Sequence, residues 1–194
     1  MKAYYDRRAP EYDDWWLGRG RYADQVRPGW EDDLHALELF IAGLPPVRTL
    51  DVACGTGFLT RHLRGEVVAL DASARMLELA AEQAPNARRV QGDALDLPFP
   101  DHSFDRVFTS YFYCHLEPPQ RERFVDEARR VAPELVVVGS VRHEGDPASA
   151  FVERRLQDGS TWTVFKRVFD GSDLAGELGG EIVFTSAWFL VVRA

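Results

Sequence analysis

Short apolar runs alternate with amphipathic stretches along the chain from residue 47 onward. The apolar runs read RTLDVA, EVVALD, RRVQGD, FDRVFTS and ELVVVGS, and the stretches between them include SARMLELAAEQA and PQRERFVDEARRVA. Runs of this length predict strands, whereas the periodic stretches predict helices, the first of them capped by Ser73. Five strands with interleaved helices favour an α/β fold whose parallel sheet is covered on both faces.

The two ends of the chain carry different patterns. Near the start, RPGWEDDLHALELFIAGLPP spaces its apolar residues as a helix does and is then stopped by glycine and prolines. Near the end, TWTVFKRVF predicts a strand, GSDLAGEL a short helix and EIVFTSAWFLVVRA one or two closing strands. No repeat or linker divides the sequence. We therefore expect one domain over 1–194, made of an N-terminal helical cap (1–46), a core (47–140) and an insertion with closing strands (141–194).

The charge balance and the cysteines narrow the classes of partner. The chain carries 31 acidic and 23 basic side chains, a net charge of −8, and no basic block. Because clustered Lys and Arg normally bind a nucleic-acid backbone, a small-molecule partner is favoured over DNA or RNA. Cys54 and Cys114 form no CxxC pair, no uncharged run is long enough to cross a bilayer, and the start lacks a signal-peptide core. These features predict a cytoplasmic protein without membrane insertion, and they leave the oligomeric state open.

The stretch LDVACGTGFLTRHL joins the first predicted strand to a helix-like pattern. In an open parallel sheet, ligands bind beyond the carboxyl ends of the strands, so this loop is a candidate binding loop. Gly55 and Gly57 remove side chains where a ligand can approach the backbone. The alternative is a tight crossover turn that binds nothing. A dinucleotide-binding loop has a third glycine where this chain has Thr60, which disfavours NAD.

Acidic residues follow the next two predicted strands. Asp71 ends the second strand, where a carboxylate can accept hydrogen bonds from both hydroxyls of a ribose. Met76, one turn into the next helix, can cover an adenine face. Asp93 follows the third strand, where it can accept from an adenine amino group while the amide of Ala94 donates. The alternatives are a helix cap at Asp71, a core role for Met76 and a turn at Asp93.

Four segments together resemble one family. LDVACGTG, LDAS followed by ML, GDALDLPFPDHSFDRVF and YYDRRAPEYD are similar to class I S-adenosylmethionine-dependent methyltransferases, in the small-molecule branch that includes quinone-biosynthesis methyltransferases. The resemblance is strong over residues 47–140 and looser at both ends. It implies an α/β, Rossmann-like domain whose seven-stranded sheet is mostly parallel, with an antiparallel last strand in a closing hairpin and helices on both faces.

The resemblance also implies a cofactor, S-adenosyl-L-methionine. In the family, the glycine-rich loop binds the methionine part of the cofactor. The acid after the second strand binds the ribose, and the Asp after the third strand hydrogen-bonds to the adenine. The family commonly has glycine where this chain has Ala53. The implied cofactor-binding residues are Asp51, Ala53, Cys54, Gly55, Gly57, Asp71, Ala72, Met76, Asp93, Ala94, Ser110 and Tyr111.

Residues on the acceptor side are expected in the N-terminal segment, after the fourth strand and beyond residue 140. The candidates are aromatic: Tyr5, Tyr12, Trp16, Tyr113 and Trp162. His115 is a candidate general base, because a neutral imidazole can remove a proton from a substrate hydroxyl. Its alternative role is a histidine at a helix entry that bonds to the backbone. The remaining histidines lack the spacing of metal ligands, so no metal site is predicted.

The predicted function is therefore methyl transfer to a small, apolar or aromatic acceptor. Such a transfer is an in-line displacement at an electrophilic methyl group, in which the protein mainly aligns the reacting atoms. Two alternatives stay open. One is a non-catalytic protein that binds S-adenosylmethionine or acts as a scaffold. The other is a nucleotide-dependent oxidoreductase, which the missing third glycine disfavours.

Overall fold

A computed structural model describes residues 2–194 of the chain. The helices are α1 (Lys2–Arg8), α2 (Asp14–Leu17), α3 (Trp30–Gly43), α4 (Ala74–Gln83), α5 (Pro118–Val131) and α6 (Gly171–Leu178). The strands are β1 (Thr49–Val52), β2 (Val67–Asp71), β3 (Arg88–Gln91), β4 (Arg106–Ser110), β5 (Glu134–Ser140), β6 (Ser149–Arg155), β7 (Thr161–Arg167), β8 (Glu181–Thr185) and β9 (Phe189–Arg193). No helix in the described range is long and apolar enough to span a membrane.

The main sheet has seven strands in the order β3-β2-β1-β4-β5-β9-β8. Strands β1 to β5 pair in parallel, and β9 runs antiparallel to both β5 and β8. This confirms the predicted Rossmann-like sheet with an antiparallel last strand. The strand order reverses between β1 and β4, and crevices for ligands form at such a reversal, beyond the carboxyl ends of the strands.

Alternate residues of the central strands fill two cores, one on each face of the sheet. In β5, Leu135 and Val137 pack with Phe124 of α5 on one face. The intervening Val136 packs on the other face with Leu37 and Ile41 of α3. Because helices cover both faces, β1, β2 and most of β5 are buried at successive positions, which explains their continuous apolar runs.

Two local elements differ from the sequence expectation. The glycine-rich loop does not continue into an α-helix; it leads to a single 3-10 turn, Thr60–His62. The hydroxyl of Thr60 donates to Asp51 Oδ2 at 2.6 Å, and Gly65, in the left-handed region, ends the segment just before β2. The chain between the loop and β2 is thus too short for more than this turn.

The second difference is an antiparallel ribbon formed by β6 and β7. Sequence reasoning predicted β7 and missed β6. The connection contains Asp158 and Gly159, and an Asp-Gly pair between alternating strands is a strong hairpin signal. Val164 on the inner face of the ribbon and Leu156 at its tip pack against Tyr4 of α1, so the ribbon lies beside the N-terminal segment.

Candidate functional site

A cavity of about 640 Å³ opens at the carboxyl ends of β1 to β4. This volume is typical of a small-molecule site. Loops after the four strands form its floor, and the N-terminal segment and the turn before α5 form its walls. The lining residues are Lys2, Tyr5, Tyr12, Ala53, Gly55, Leu70, Asp71, Ala72, Ser73, Met76, Gln91, Gly92, Asp93, Ala94, Leu95, Ser110, Tyr111, Phe112, His115, Leu116 and Gln120.

The glycine-rich loop is tightly enclosed. Gly55 lines the cavity with φ +58°, and a Cβ at this position would lie 3.3 Å from the ring of Tyr12. Gly57 has φ +81° and does not line the cavity; its backbone packs against α4, where a Cβ would lie 3.2 Å from Ala80 Cα. The two glycines therefore have different roles. Gly55 leaves the loop open to the cavity, and Gly57 lets the loop pack closely against α4.

Ala53 also adopts a left-handed conformation, with φ +57°. Glycine is the residue that tolerates this region at no steric cost, and the resembling family commonly has glycine here. The methyl group of Ala53 lines the cavity floor. Ala53 therefore holds a backbone conformation that glycine adopts more readily.

Asp71 joins the glycine-rich loop to the end of β2. Its Oδ2 accepts from the backbone N–H of Gly55 at 2.9 Å, and its Oδ1 accepts from that of Ser73 at 2.8 Å. Helix α4 is capped by Ser73, whose Oγ accepts from Met76 N at 3.2 Å, so Asp71 is not its cap. Burial raises the pKa of Asp71, and the two amide hydrogen bonds oppose that effect. Each carboxylate oxygen keeps a lone pair, and the side chain borders the cavity.

Asp93 and Met76 lie at the same end of the cavity. Asp93 is exposed on the rim and its Oδ1 accepts from Leu95 N at 2.9 Å, so it forms the turn that was its alternative interpretation. Met76 is buried in the cavity wall, and Ala72 and Ala94 line the same region. The predicted residues after β2 and β3 are thus brought together, as the ends of adjacent parallel strands must be.

Three of the residues implied as cofactor contacts do not line the cavity: Asp51, Cys54 and Gly57. Asp51 lies buried beneath the loop, where Oδ2 accepts from Thr60 and Oδ1 has no partner among the described residues. Burial raises the pKa of Asp51 to about 7. The thiol of Cys54 is buried and contacts the carbonyl of Gly55. These three residues therefore support the conformation of the loop without lining the cavity.

His115 lines the cavity opposite the glycine-rich loop. Its Nδ1 lies 2.7 Å from the carbonyl oxygen of Phe165 in β7. A carbonyl only accepts, so Nδ1 carries the proton and Nε2 is left as an acceptor. Burial lowers the pKa of His115 to about 4, which keeps the ring neutral at pH 7. The backbone contact was its alternative interpretation, and it coexists with a place in the cavity wall.

The predicted acceptor-side aromatics divide into two groups. Tyr5 and Tyr12 line the cavity, with ring centroids 6.4 Å apart. Trp16, Tyr113 and Trp162 do not. Trp16 is only 4% exposed and stacks on Phe58 at 4.8 Å in the core. Tyr113 donates to Glu177, and Trp162 packs against Tyr4. These three rings stabilise the fold around the site and do not contact the cavity.

Two acids of the N-terminal segment have a role that sequence reasoning missed. Asp13 Oδ1 accepts from the hydroxyl of Thr56 in the glycine-rich loop at 2.6 Å, and Oδ2 accepts from Gln83 at 2.5 Å. Asp6 Oδ1 accepts from Ser73 Oγ at 2.5 Å. The signal available in the sequence was the regular mixture of acids and aromatics in YYDRRAPEYDD. These contacts fasten the segment over the cavity.

Comparisons with known proteins identify the family of the chain. The family model described as "Methyltransferase domain" matches residues 50–134. The demethylmenaquinone methyltransferase of Thermotoga maritima is 36% identical over 91 residues, which cover 44% of this chain and 39% of that protein. The 2-phytyl-1,4-naphtoquinone methyltransferase of Nostoc sp. is 34% identical over 128 residues, 57% of this chain and 51% of that protein. The matches thus span about half the length of these relatives or less.

The likeness to a solved structure extends over nearly the whole chain. The DhpI–SAH complex structure is 30% identical, covers 98% of this chain and 92% of its own, and superposes with a TM-score of 0.76. With the sheet order and the cavity, these findings define the class. The chain belongs to the class I S-adenosylmethionine-dependent methyltransferases.

The residues of the cavity fit the family's cofactor. The floor is free of bulky side chains at Ala53 and Gly55, and the buried Asp71 carboxylate offers lone pairs beside them. A dinucleotide loop is disfavoured again, because Thr60 stands at the third glycine position and is bonded to Asp51.

Proposed function

We propose that this protein transfers a methyl group from S-adenosylmethionine to a small-molecule acceptor. The observation that carries the proposal is the Asp71 carboxylate, held by two backbone amides between the glycine-rich loop and α4 and bordering a cavity of about 640 Å³. In this assignment Ala53 and Gly55 hold the methionine part, and Asp71 with Ala72 holds the ribose. Met76, Asp93 and Ala94 surround the adenine, and Ser110 and Tyr111 contact the cofactor after β4.

The chemistry asks the chain mainly for alignment and for exclusion of water. Bound S-adenosylmethionine supplies an electrophilic methyl group on a positively charged sulfur. Alignment of two reactants is worth about 7–11 kcal/mol of barrier. Tyr5 and Tyr12, fastened over the cavity through Asp6 and Asp13, enclose the reacting atoms. The hydrogen bonds of Asp6 and Asp13 therefore support the mechanism, because they hold the two tyrosines over the cavity, as well as the fold.

His115 is assigned to the acceptor side. Its neutral ring, with Nδ1 bonded to Phe165, presents Nε2 as a hydrogen-bond acceptor for a substrate hydroxyl. A pKa of about 4 makes it a weak base, so its main contribution is to orient the hydroxyl rather than to remove the proton fully. Tyr5, Tyr12 and Phe112 supply the apolar and aromatic surface that a planar acceptor needs.

The test is a turnover assay with a panel of acceptors that contains quinols, phenols and carboxylates. Release of S-adenosylhomocysteine and formation of a methylated product are followed by mass spectrometry, with Asp71→Ala as the variant and Asp24→Ala, at an exposed site, as the control. We expect acceptor-dependent release in the wild type and in the control, and at least tenfold less in Asp71→Ala. Tight cofactor binding without turnover on any acceptor class would instead identify a non-catalytic binding protein.

A further inference from the structure

The ribbon of β6 and β7 directs two cations toward the N-terminal segment. In the strand register, Arg154 pairs with Trp162, Val152 with Val164, and Ala150 with Lys166. Paired residues and their alternate neighbours share one face of a ribbon. Val164 on this face is buried against Tyr4, so Arg154 and Lys166 project on the side that faces α1. Both are half-buried.

A third cation approaches from α1. The Arg8 side chain donates to Tyr4 Oη at 2.9 Å, and its guanidinium lies 4.9 Å from the ring centre of Tyr12, a residue of the cavity wall. The Tyr4 ring in turn lies 5.9 Å from Trp162, the cross-strand partner of Arg154. Arg8, Arg154 and Lys166, which we call the cationic cluster, therefore lie on three elements that pack together through Tyr4.

The cationic cluster lies behind the acceptor side of the cavity: its side chains do not line the cavity, but Arg8 stacks on Tyr12, which does. Lys166 follows Phe165, whose carbonyl accepts from His115 at 2.7 Å. The pKa of His115 is lowered to about 4, mainly by burial; the hydrogen bond to Phe165 opposes this, and the positive charges of Lys166, Arg8 and Arg154 add to it. Lys166 and Arg154 act on the neighbouring thiol of Cys114 as well. The three positive charges therefore all act on the turn that carries His115.

No carboxylate among residues 2–194 lies within ion-pair distance of these three charges. Among residues 2–194, none of the ion pairs includes Arg8, Arg154 or Lys166, although the chain has eight more acidic than basic side chains. The other cations of the region are paired: Lys2 with Asp6, Arg7 with Asp158, and Arg167 with Glu177. A half-buried cation without a counter-charge has lost part of its hydration, so an anionic ligand would interact with it favourably.

We propose that the cationic cluster is a subsite for an oxyanion, a carboxylate or a phosphonate, carried by the methyl acceptor. This inference rests on the proposed function and names its substrate class: a small organic acid with an apolar or planar body against Tyr5, Tyr12 and Phe112. Planar guanidinium groups match both kinds of oxyanion through paired hydrogen bonds, and Lys166 adds a point charge.

The test begins with the protein saturated with S-adenosylhomocysteine. Benzoate, phenylphosphonate and the uncharged benzyl alcohol are then titrated by calorimetry. The variant is Arg154→Gln with Lys166→Gln, and the matched control is Arg155→Gln, whose exposed side chain lies on the opposite face of β6 and forms no ion pair with the described residues. We expect at least one anion to bind the wild type more tightly than the alcohol, with at least about tenfold loss in the double variant and none in the control.

Four results separate the possibilities. Equal or weaker binding of both anions than of benzyl alcohol by the wild type overturns the subsite, as does an equal loss in Arg155→Gln. The comparison of the two anions shows whether a carboxylate or a phosphonate is preferred. The wild-type comparison also decides the matter if the double variant does not fold, which its melting temperature reports. Failure of S-adenosylhomocysteine to bind contradicts the proposed function instead, so the two failures are distinct.

Discussion

Asp71 is the residue on which the cofactor assignment most depends. Both of its oxygens are already held by backbone amides, so the remaining lone pairs are fixed in direction before any ligand arrives. Such preorganisation reduces the ordering that binding requires. Its alternative role as a helix cap is taken by Ser73, which bonds Met76 N.

The first prediction concerns Asp71→Asn. The amide can accept from only one of the two N–H groups, and the charge that would hold two ribose hydroxyls is lost. Hydrogen bonds to a charged group are worth roughly 1.5–3 kcal/mol each, so we expect at least tenfold weaker binding of S-adenosylhomocysteine by calorimetry. Asp24→Asn serves as the control. Unchanged affinity in Asp71→Asn would reduce Asp71 to an organiser of the loop.

Asp51 is expected to make the stability of the folded protein depend on pH. Burial raises its pKa to about 7, above the value near 4 of an unfolded chain, so the folded state binds the extra proton between these values. Stability from this group is therefore greatest below about pH 4 and falls as the pH rises to about 7, by at most about 1.4 kcal/mol per pH unit.

We expect Asp51→Asn to remove that slope while keeping an acceptor for Thr60. The measurement is urea unfolding of the wild type and of the variant from pH 5 to pH 8, because the difference between them isolates Asp51 from Asp71. Parallel stability curves for the two proteins would show that the buried carboxyl titrates normally.

At the scale of elements, the N-terminal segment is fastened to the site by Asp13. Its two oxygens bond Thr56 in the glycine-rich loop and Gln83 in α4. Asp13→Ala removes both bonds at the surface of the core rather than within it. We expect faster amide hydrogen exchange in residues 2–17 and weaker binding of S-adenosylhomocysteine, with exchange in β1 to β5 unchanged. Protection of residues 2–17 equal to that of wild type would show that the aromatic contacts alone hold the segment.

Strands and helices of the core could be predicted because each carries its own signal. Buried parallel strands are continuous apolar runs, and the carboxyl ends of adjacent strands meet, which placed Asp71 and Asp93 beside one cavity. β6 was missed because its apolar run, 150–152, has only three residues and is followed at once by three charged residues, 153–155. Its Asp-Gly turn was the usable signal. Which aromatic enters the core depends on distant partners, such as Phe58 and Phe189 for Trp16, and no local pattern records that.

For the whole molecule, ligand binding and stability are linked. A ligand at 100 times its dissociation constant stabilises the folded state by about 2.7 kcal/mol. For a chain of this size, 1 kcal/mol shifts the melting temperature by roughly 2–4 °C. We therefore expect S-adenosylmethionine and S-adenosylhomocysteine to raise the melting temperature by several degrees and NAD to leave it unchanged. A shift with NAD and none with either sulfur nucleoside would favour the oxidoreductase hypothesis.

The most direct measurement is a crystal structure of the protein grown with S-adenosylhomocysteine. We expect density in the cavity at the carboxyl ends of β1 to β4, with the ribose hydroxyls within hydrogen-bond distance of Asp71 and the adenine between Met76 and Asp93. The sulfur should point toward the side of His115. An empty cavity at saturating ligand, or a nucleoside bound away from Asp71, would contradict the account.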